Sequence, residues 1–182
     1  ILSLITILAS PVAAQVTPKP GDDPTAAADV VLCPQIIHPI RFCGTSPEFI
    51  LTPQSDNDEI TAYFATPEGI QALAIIEPLG TNDGLNVPRL QEIALDILSG
   101  ASGDPAGQIP VLERSTLTVA GGSHPNFVYS GIIDGSAIVY SNSIVLGPDY
   151  VAQFVTLDVG FSVYTQRHRE LHGRFLAAVQ LQ

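Results

Sequence analysis

Cations are scarce in this chain: seven Lys and Arg stand against 18 Asp and Glu, for a formal charge of -11. So large an excess of one sign repels phosphate backbones and anionic headgroups, which argues against general nucleic-acid binding and charge-driven attachment to a membrane surface. Basic partners and cations stay open, beside the plain role of keeping an exported protein in solution. Cysteine is scarcer still. Cys33 and Cys43 enclose nine residues without a C-x-x-C pair, and nothing around either sulfur marks a poised thiolate. No apolar run is long enough to span a bilayer as a helix. Several catalytic signatures are missing too: no G-x-S-x-G elbow joins a strand to a helix, and Gly100-Ala101-Ser102-Gly103 follows a helical pattern instead of opening one, so it cannot cradle a phosphate.

What is present begins with a short apolar stretch, Ile1 to Gln15, that ends in small residues and sets Val12 and Ala14 at the -3 and -1 positions of a cleavage before Gln15. Residues 1–14 therefore read as the remnant of a signal peptide, the alternative being a buried first strand, and the mature chain is expected in the periplasm or secreted. An even cysteine count in an exported chain reads as one disulfide, Cys33 to Cys43. Closing so small a ring is worth about 2 to 3 kcal/mol. Cys33 follows Val31-Leu32 instead of small residues, which argues against a lipoprotein acceptor.

Residues 15–29 are rich in Pro, Asp and Ala with no apolar period and read as a flexible linker. One domain is expected over residues 30–182. Its first segment, 30–47, carries the cysteines among Pro34, Pro39 and Pro47 and reads as a cross-linked surface loop. Short β-runs follow at 49–52, 60–66 and 70–77, the last two joined by Pro67-Glu68-Gly69, a turn in which Pro takes the first corner and Gly tolerates positive φ. From Asn86 to Gly100 the period becomes helical: Leu90, Ile93, Ala94, Ile97 and Leu98 share one face, with Asn86 as cap and Pro88 in the first turn. After a Gly and Pro loop, β-runs recur at 111–119, 126–133, 136–146 and 150–159, separated by Gly121-Gly122, Asp134-Gly135 and Gly147-Pro148-Asp149. Residues 162–181 close the chain as a helix with Tyr164, Leu171, Phe175, Ala178 and Val179 on one arc. Strands this close in sequence run antiparallel.

The closing helix carries the main candidate for chemistry. His168 and His172 lie one turn apart on one face, a spacing that can clamp a metal. Glu170 does not follow the first His directly, so the base of a zinc-protease motif is missing. The structural alternative is a buried His168 bonded within the core and a half-exposed His172. Arg167, Arg169 and Arg174 share this helix, while residues 15–166 hold four cations against 17 acids. That asymmetry fits either an anion site or pairing of the arginines with sheet carboxylates. Asp56-Asn57-Asp58-Glu59 lacks the Gly and the distant Glu of a calcium loop and reads as a solvated turn. Ser123 beside His124 are chain neighbours, which seldom point at each other.

In order of elements, residues 60–181 resemble the fold shared by PsbP, the extrinsic subunit of the oxygen-evolving photosystem, and a Ran-binding nuclear transport factor. The likeness rests on the early hairpin, the amphipathic helix, the meander turning at Asp134-Gly135, and the closing helix with Tyr164, His168 and Phe175. It implies an α+β domain: a curved antiparallel sheet of six to seven strands between two helices, and a role in binding or assembly instead of catalysis. The expectation is an envelope accessory protein with no cofactor and no resident metal, acting as a monomer on a protein partner or small ligand through a surface of Tyr164, Arg167 and His172. The alternative is an exported metal-dependent enzyme built on His168 and His172.

Overall fold

The computed structural model describes residues 35–37, 40–43, 50–52, 62–79, 85–104 and 108–181. The leader, the linker, Cys33 and the acidic turn at 56–59 lie outside the described residues. Among the described residues there are ten strands and two helices: β1 (Gln35–Ile37), β2 (Ile40–Phe42), β3 (Ile50–Thr52), β4 (Ala62–Ala65), β5 (Gln71–Pro78), α1 (Val87–Ser102), β6 (Val111–Val119), β7 (Gly122–Ile133), β8 (Ser136–Leu146), β9 (Tyr150–Val159), α2 (Gln166–Ala177) and β10 (Val179–Leu181).

The turns deliver the meander that the sequence implies. Asp134 and Gly135 both take positive φ, 51° and 76°, the backbone of a two-residue hairpin turn whose twist matches the flanking strands. Gly69 at φ 88° closes the first hairpin, its N–H donating to Thr66 O at 3.0 Å. The result is a seven-stranded antiparallel sheet in the order β3-β4-β5-β9-β8-β7-β6. Within it α1 starts where the cap residue allows, Arg89 N–H donating to Asn86 Oδ1 at 3.0 Å, and stops at Gly103 in the left-handed region at φ 77°.

Each helix covers one face of this sheet. Leu90, Ala94 and Leu98 of α1 pack on Leu73, Phe127, Tyr129, Tyr140 and Val155, while Phe175 and Leu176 of α2 pack on Phe64, Ala72, Val145, Ala152 and Phe154. The assignment follows strand alternation: on β8 the even-numbered residues face α1 and the odd-numbered face α2. Under α2 the rings of Phe42, Phe64, Phe154 and Phe175 cluster with centroids 4.9 to 6.5 Å apart. Under α1, Tyr129 stacks between Phe127 and Tyr140 at 4.8 and 5.0 Å.

Three stretches of the chain differ from the sequence reading. Residues 35–37 and 40–42, inside the stretch read as a surface loop, are strands, and Ile40 and Phe42 are buried. Pro34 and Pro39 flank these strands without interrupting them, and three-residue strands are too short to show a period. The last helix runs only over Gln166–Ala177; Val179, Gln180 and Leu181 turn back to pair with Phe42, Arg41 and Ile40, making a second sheet in the order β1-β2-β10. Tertiary pairing overrides the local helical pattern there. β7 also starts four residues early and passes through Pro125, which is tolerated because β8 pairs β7 only from Asn126 onward.

Phe175 is 1% exposed among three other phenyl rings, whereas Ile132 is 54% exposed. Phe175→Ala is expected to lower unfolding free energy by about 3 to 5 kcal/mol in urea titration. Ile132→Thr should shift it by less than about 0.5 kcal/mol.

Candidate functional site

Among the described residues, six buried polar side chains occupy the sheet face under α2: Asn126 and Ser130 on β7, Ser141 and Ser143 on β8, and Thr156 and Asp158 on β9. Cross-strand register gathers them, because Ser143 pairs with Asn126 and Ser141 with Thr156. A buried hydroxyl or amide must be hydrogen-bonded or it costs stability, and here α2 supplies partners.

His172 is the hub. It is fully buried, with Nε2 at 2.9 Å from Ser143 Oγ and Nδ1 at 2.9 Å from Thr156 Oγ1. Ser143 spends its one proton on Asn126 Oδ1 at 3.0 Å, so its oxygen accepts from His172 Nε2–H and His172 Nδ1 accepts from Thr156. The chain continues through Ser141, which donates to Asn126 Oδ1 at 3.3 Å, and through Asn126 Nδ2, which donates to Ser115 Oγ at 3.3 Å. Burial lowers the imidazole pKa to about 3, leaving the ring neutral.

His168 plays a different part. Its Nδ1 accepts from Thr165 N–H at 3.0 Å, the bond that Glu or Gln makes in a capping box, and lies 2.7 Å from Thr165 Oγ1. The proton therefore sits on Nε2, which is 3.2 Å from Asp158 Oδ2 but out of line for a hydrogen bond. Arg167 Nη1 approaches the same oxygen at 3.7 Å. Burial pushes the Asp158 carboxyl up, against the pull of His168 and Arg167; it pushes the His168 imidazole down, against the pull of Asp158.

The expected surface residues are thus separated. Tyr164 precedes α2 and is half-buried, Arg167 is exposed, and His172 lies beneath the helix out of reach of solvent. A helical wheel gives the angle around an axis but not the position along it: His168 sits in the first turn near Phe161 and Tyr164, while His172 sits over the middle of the sheet. Their ring nitrogens point to different partners, so the pair does not converge on one ion. Ser143 and His172 have the spacing of a nucleophile and its base, yet the site is sealed. Arg167 is spent on Asp158, and Arg169 on Glu113 while lying 5.3 Å over the Tyr164 ring. Leu117 pairs with His124 and Thr118 with Ser123, which puts Ser123 and His124 on opposite faces. Sequence reasoning passed over Asn126, Ser143, Thr156 and Asp158; a polar residue recurring mid-strand in runs of apolar ones was the available signal.

No protein-family model matches the chain, and no curated protein sequence does. A solved structure shares its fold. The cyanobacterial PsbP (CyanoP) of Synechocystis sp. PCC 6803 superposes with a TM-score of 0.50 at 8% identity, covering 79% of this chain and 86% of that one. LpqN, described as involved in cell envelope biogenesis of Mycobacterium tuberculosis, gives a TM-score of 0.48 at 12% identity, over 79% and 83%. The likeness is one of fold: this chain has the PsbP-like α+β architecture, an antiparallel sheet with a helix on each side. No helix among the described residues is long and apolar enough to cross a membrane.

The depressed His172 pKa sets a pH dependence. The unfolded ring, at the ordinary value of 6.5, binds a proton before the folded one does, so acid favours unfolding. Stability should fall between pH 6.5 and about 3 by about 1.4 kcal/mol per unit from this residue. Urea unfolding at pH 7, 6 and 5 should show a slope shallower by about that amount in His172→Gln; equal slopes would refute the assignment.

Proposed function

We propose that this chain is an exported, non-enzymatic binding or assembly accessory protein of the bacterial envelope. The observation that carries the reading is the closure of the polar cluster under α2: its imidazole, hydroxyl and amide groups bond to one another, and His172 is fully buried. Groups arranged in this way orient a helix on a sheet and leave no reactive atom at the surface. The PsbP-like fold and the apolar leader at the start of the sequence support the same reading, although a fold by itself does not define a function.

The outward face of the α2 entrance is the surface this reading assigns to a partner. Phe161 and Val163 are 44% and 65% exposed beside the half-buried Tyr164 and the exposed Arg167. Exposed apolar and aromatic groups in a small area suit a protein partner offering an apolar patch. His172 has no part in this surface. The Cys33 to Cys43 disulfide belongs to the proposal as a staple: Cys43 N–H donates to Ala178 O at 2.6 Å, so the bond would tie the first segment to the end of α2.

An affinity pull-down from an envelope extract with the wild-type chain and with Val163→Asp tests the role. A specific protein partner retained by the first and lost by the second is expected; no specific partner together with catalytic turnover would overturn the proposal. The disulfide has its own test. Alkylation under denaturing conditions should leave the intact mass unchanged until a reductant is added, after which two thiols react; two reactive thiols before reduction would exclude the bond.

A further inference from the structure

On the other side of the sheet, α1 does not close fully over the strands. A cavity of about 80 Å³ lies between them, lined by Ile93, Ile97 and Leu98 of α1 and by Leu73, Tyr140 and Val155 of the sheet. Its walls are apolar apart from a few groups, among them the amides of Asn142 and Gln153. Asn142 is 1% exposed at the middle of β8, between Phe127 on β7 and Val155 on β9. Its Nδ2 donates to Gln153 Oε1 at 2.9 Å and the amide also interacts with the Tyr129 hydroxyl, but its Oδ1 has no hydrogen-bond partner.

A buried carbonyl oxygen without a donor is costly, and an apolar cavity forfeits dispersion contacts along its lining. One occupant removes both costs: an apolar body that carries a single hydrogen-bond donor. The surroundings resist negative charge, since burial pushes the Tyr129 phenol up and raises the Tyr140 phenol to about 12, which argues against a carboxylate. The volume is roughly half of the ~150 Å³ apolar cavity that accepts benzene, so a slim chain fits better than a ring. Ile97 is half-buried and Ala101 exposed at the rim, leaving a way out for the far end of a chain.

We propose that this cavity binds the end of a linear, uncharged aliphatic alcohol, the hydroxyl donating to Asn142 Oδ1 and the chain lying between α1 and the sheet. The site is on the opposite face from the polar cluster under α2 and does not depend on the partner role proposed above.

The test uses the whole chain, with 1-hexanol as probe and the methyl NMR signals of Ile97, Leu98 and Val155 as readout. Dipropyl ether has the same atoms without a donor, hexanoate adds a charge, and benzyl alcohol replaces the chain with a ring. Saturable shifts with 1-hexanol are expected, at an affinity about tenfold or more above that of the ether and of hexanoate, and above that of benzyl alcohol. No saturable shift with 1-hexanol, or equal binding of the ether, would overturn the proposal. Asn142→Leu should erase the preference for alcohol over ether while the ether still binds. Because a buried substitution can unfold the chain, Ile97→Trp at the half-buried rim provides a second variant: it should stay folded and lose 1-hexanol binding. A folded Ile97→Trp protein that binds as the wild type does would refute the site.

Discussion

Ser141, Asn142 and Ser143 stand in the middle of β8, a strand covered by a helix on each face, and the rest of the structure is arranged around satisfying them. Residues 138–145 are all buried, so no side chain on this stretch can turn to water. Each polar group there must find a partner inside the protein or cost about 1 to 3 kcal/mol. Alternation sends Ser141 and Ser143 toward α2 and Asn142 toward α1. On the α2 face the demand is met through Asn126, Thr156 and His172. On the α1 face it is met only for the Asn142 nitrogen.

This division explains how differently the two helices are held. α2 docks by two kinds of contact at once: Phe175 and Leu176 in the phenyl cluster toward its end, and His172 and His168 on polar partners nearer its start. Directional bonds to a neutral imidazole set the rotation of the helix as well as its distance from the sheet, which dispersion contacts alone define loosely. α1 lays an apolar stripe, Leu90, Ala94 and Leu98, against the sheet, with one exposed bond beside it from Arg114 of β6 to Gln91. Close approach at one end depends on Gly131, since a β-carbon there would meet Leu98 Cδ2 at 3.0 Å. Farther along, the same helix leaves the gap that Asn142 helps to line. The buried polar bonds thus lie on the α2 side and the cavity on the α1 side.

Much of the chain is legible without coordinates because turn chemistry and periodicity are local. Asp134-Gly135 can hardly be anything other than a tight hairpin, and its strands, 136–146 ahead and a run ending at 133 behind, are found where the pattern puts them. Asn86, Pro88 and the 3.6-residue spacing of Leu90 to Leu98 likewise define α1 by local signals. β2 and β10 escape the same reasoning. Three residues carry no period, and Val179 to Leu181 look like the continuation of a helix until Ile40 to Phe42 are placed alongside. The candidate site shows the same limit. The spacing of His168 and His172 puts them on one face, yet whether that face meets solvent, an ion or hydroxyls on a strand about thirty residues earlier is decided by packing.

What the sequence by itself determined is the set of local elements: which segments alternate, which wind, where the chain must turn, and how acidic the whole is. Tertiary structure decided which faces those elements hide. The double covering of β8 turned an ordinary Ser-Asn-Ser run into a buried constraint. That constraint made His172 a neutral structural ring instead of a surface ligand, and it left the Asn142 carbonyl oxygen on the other face without a partner. The physical reason is that burial is a property of two surfaces brought together, and the energy of a polar group depends on what the other surface offers it.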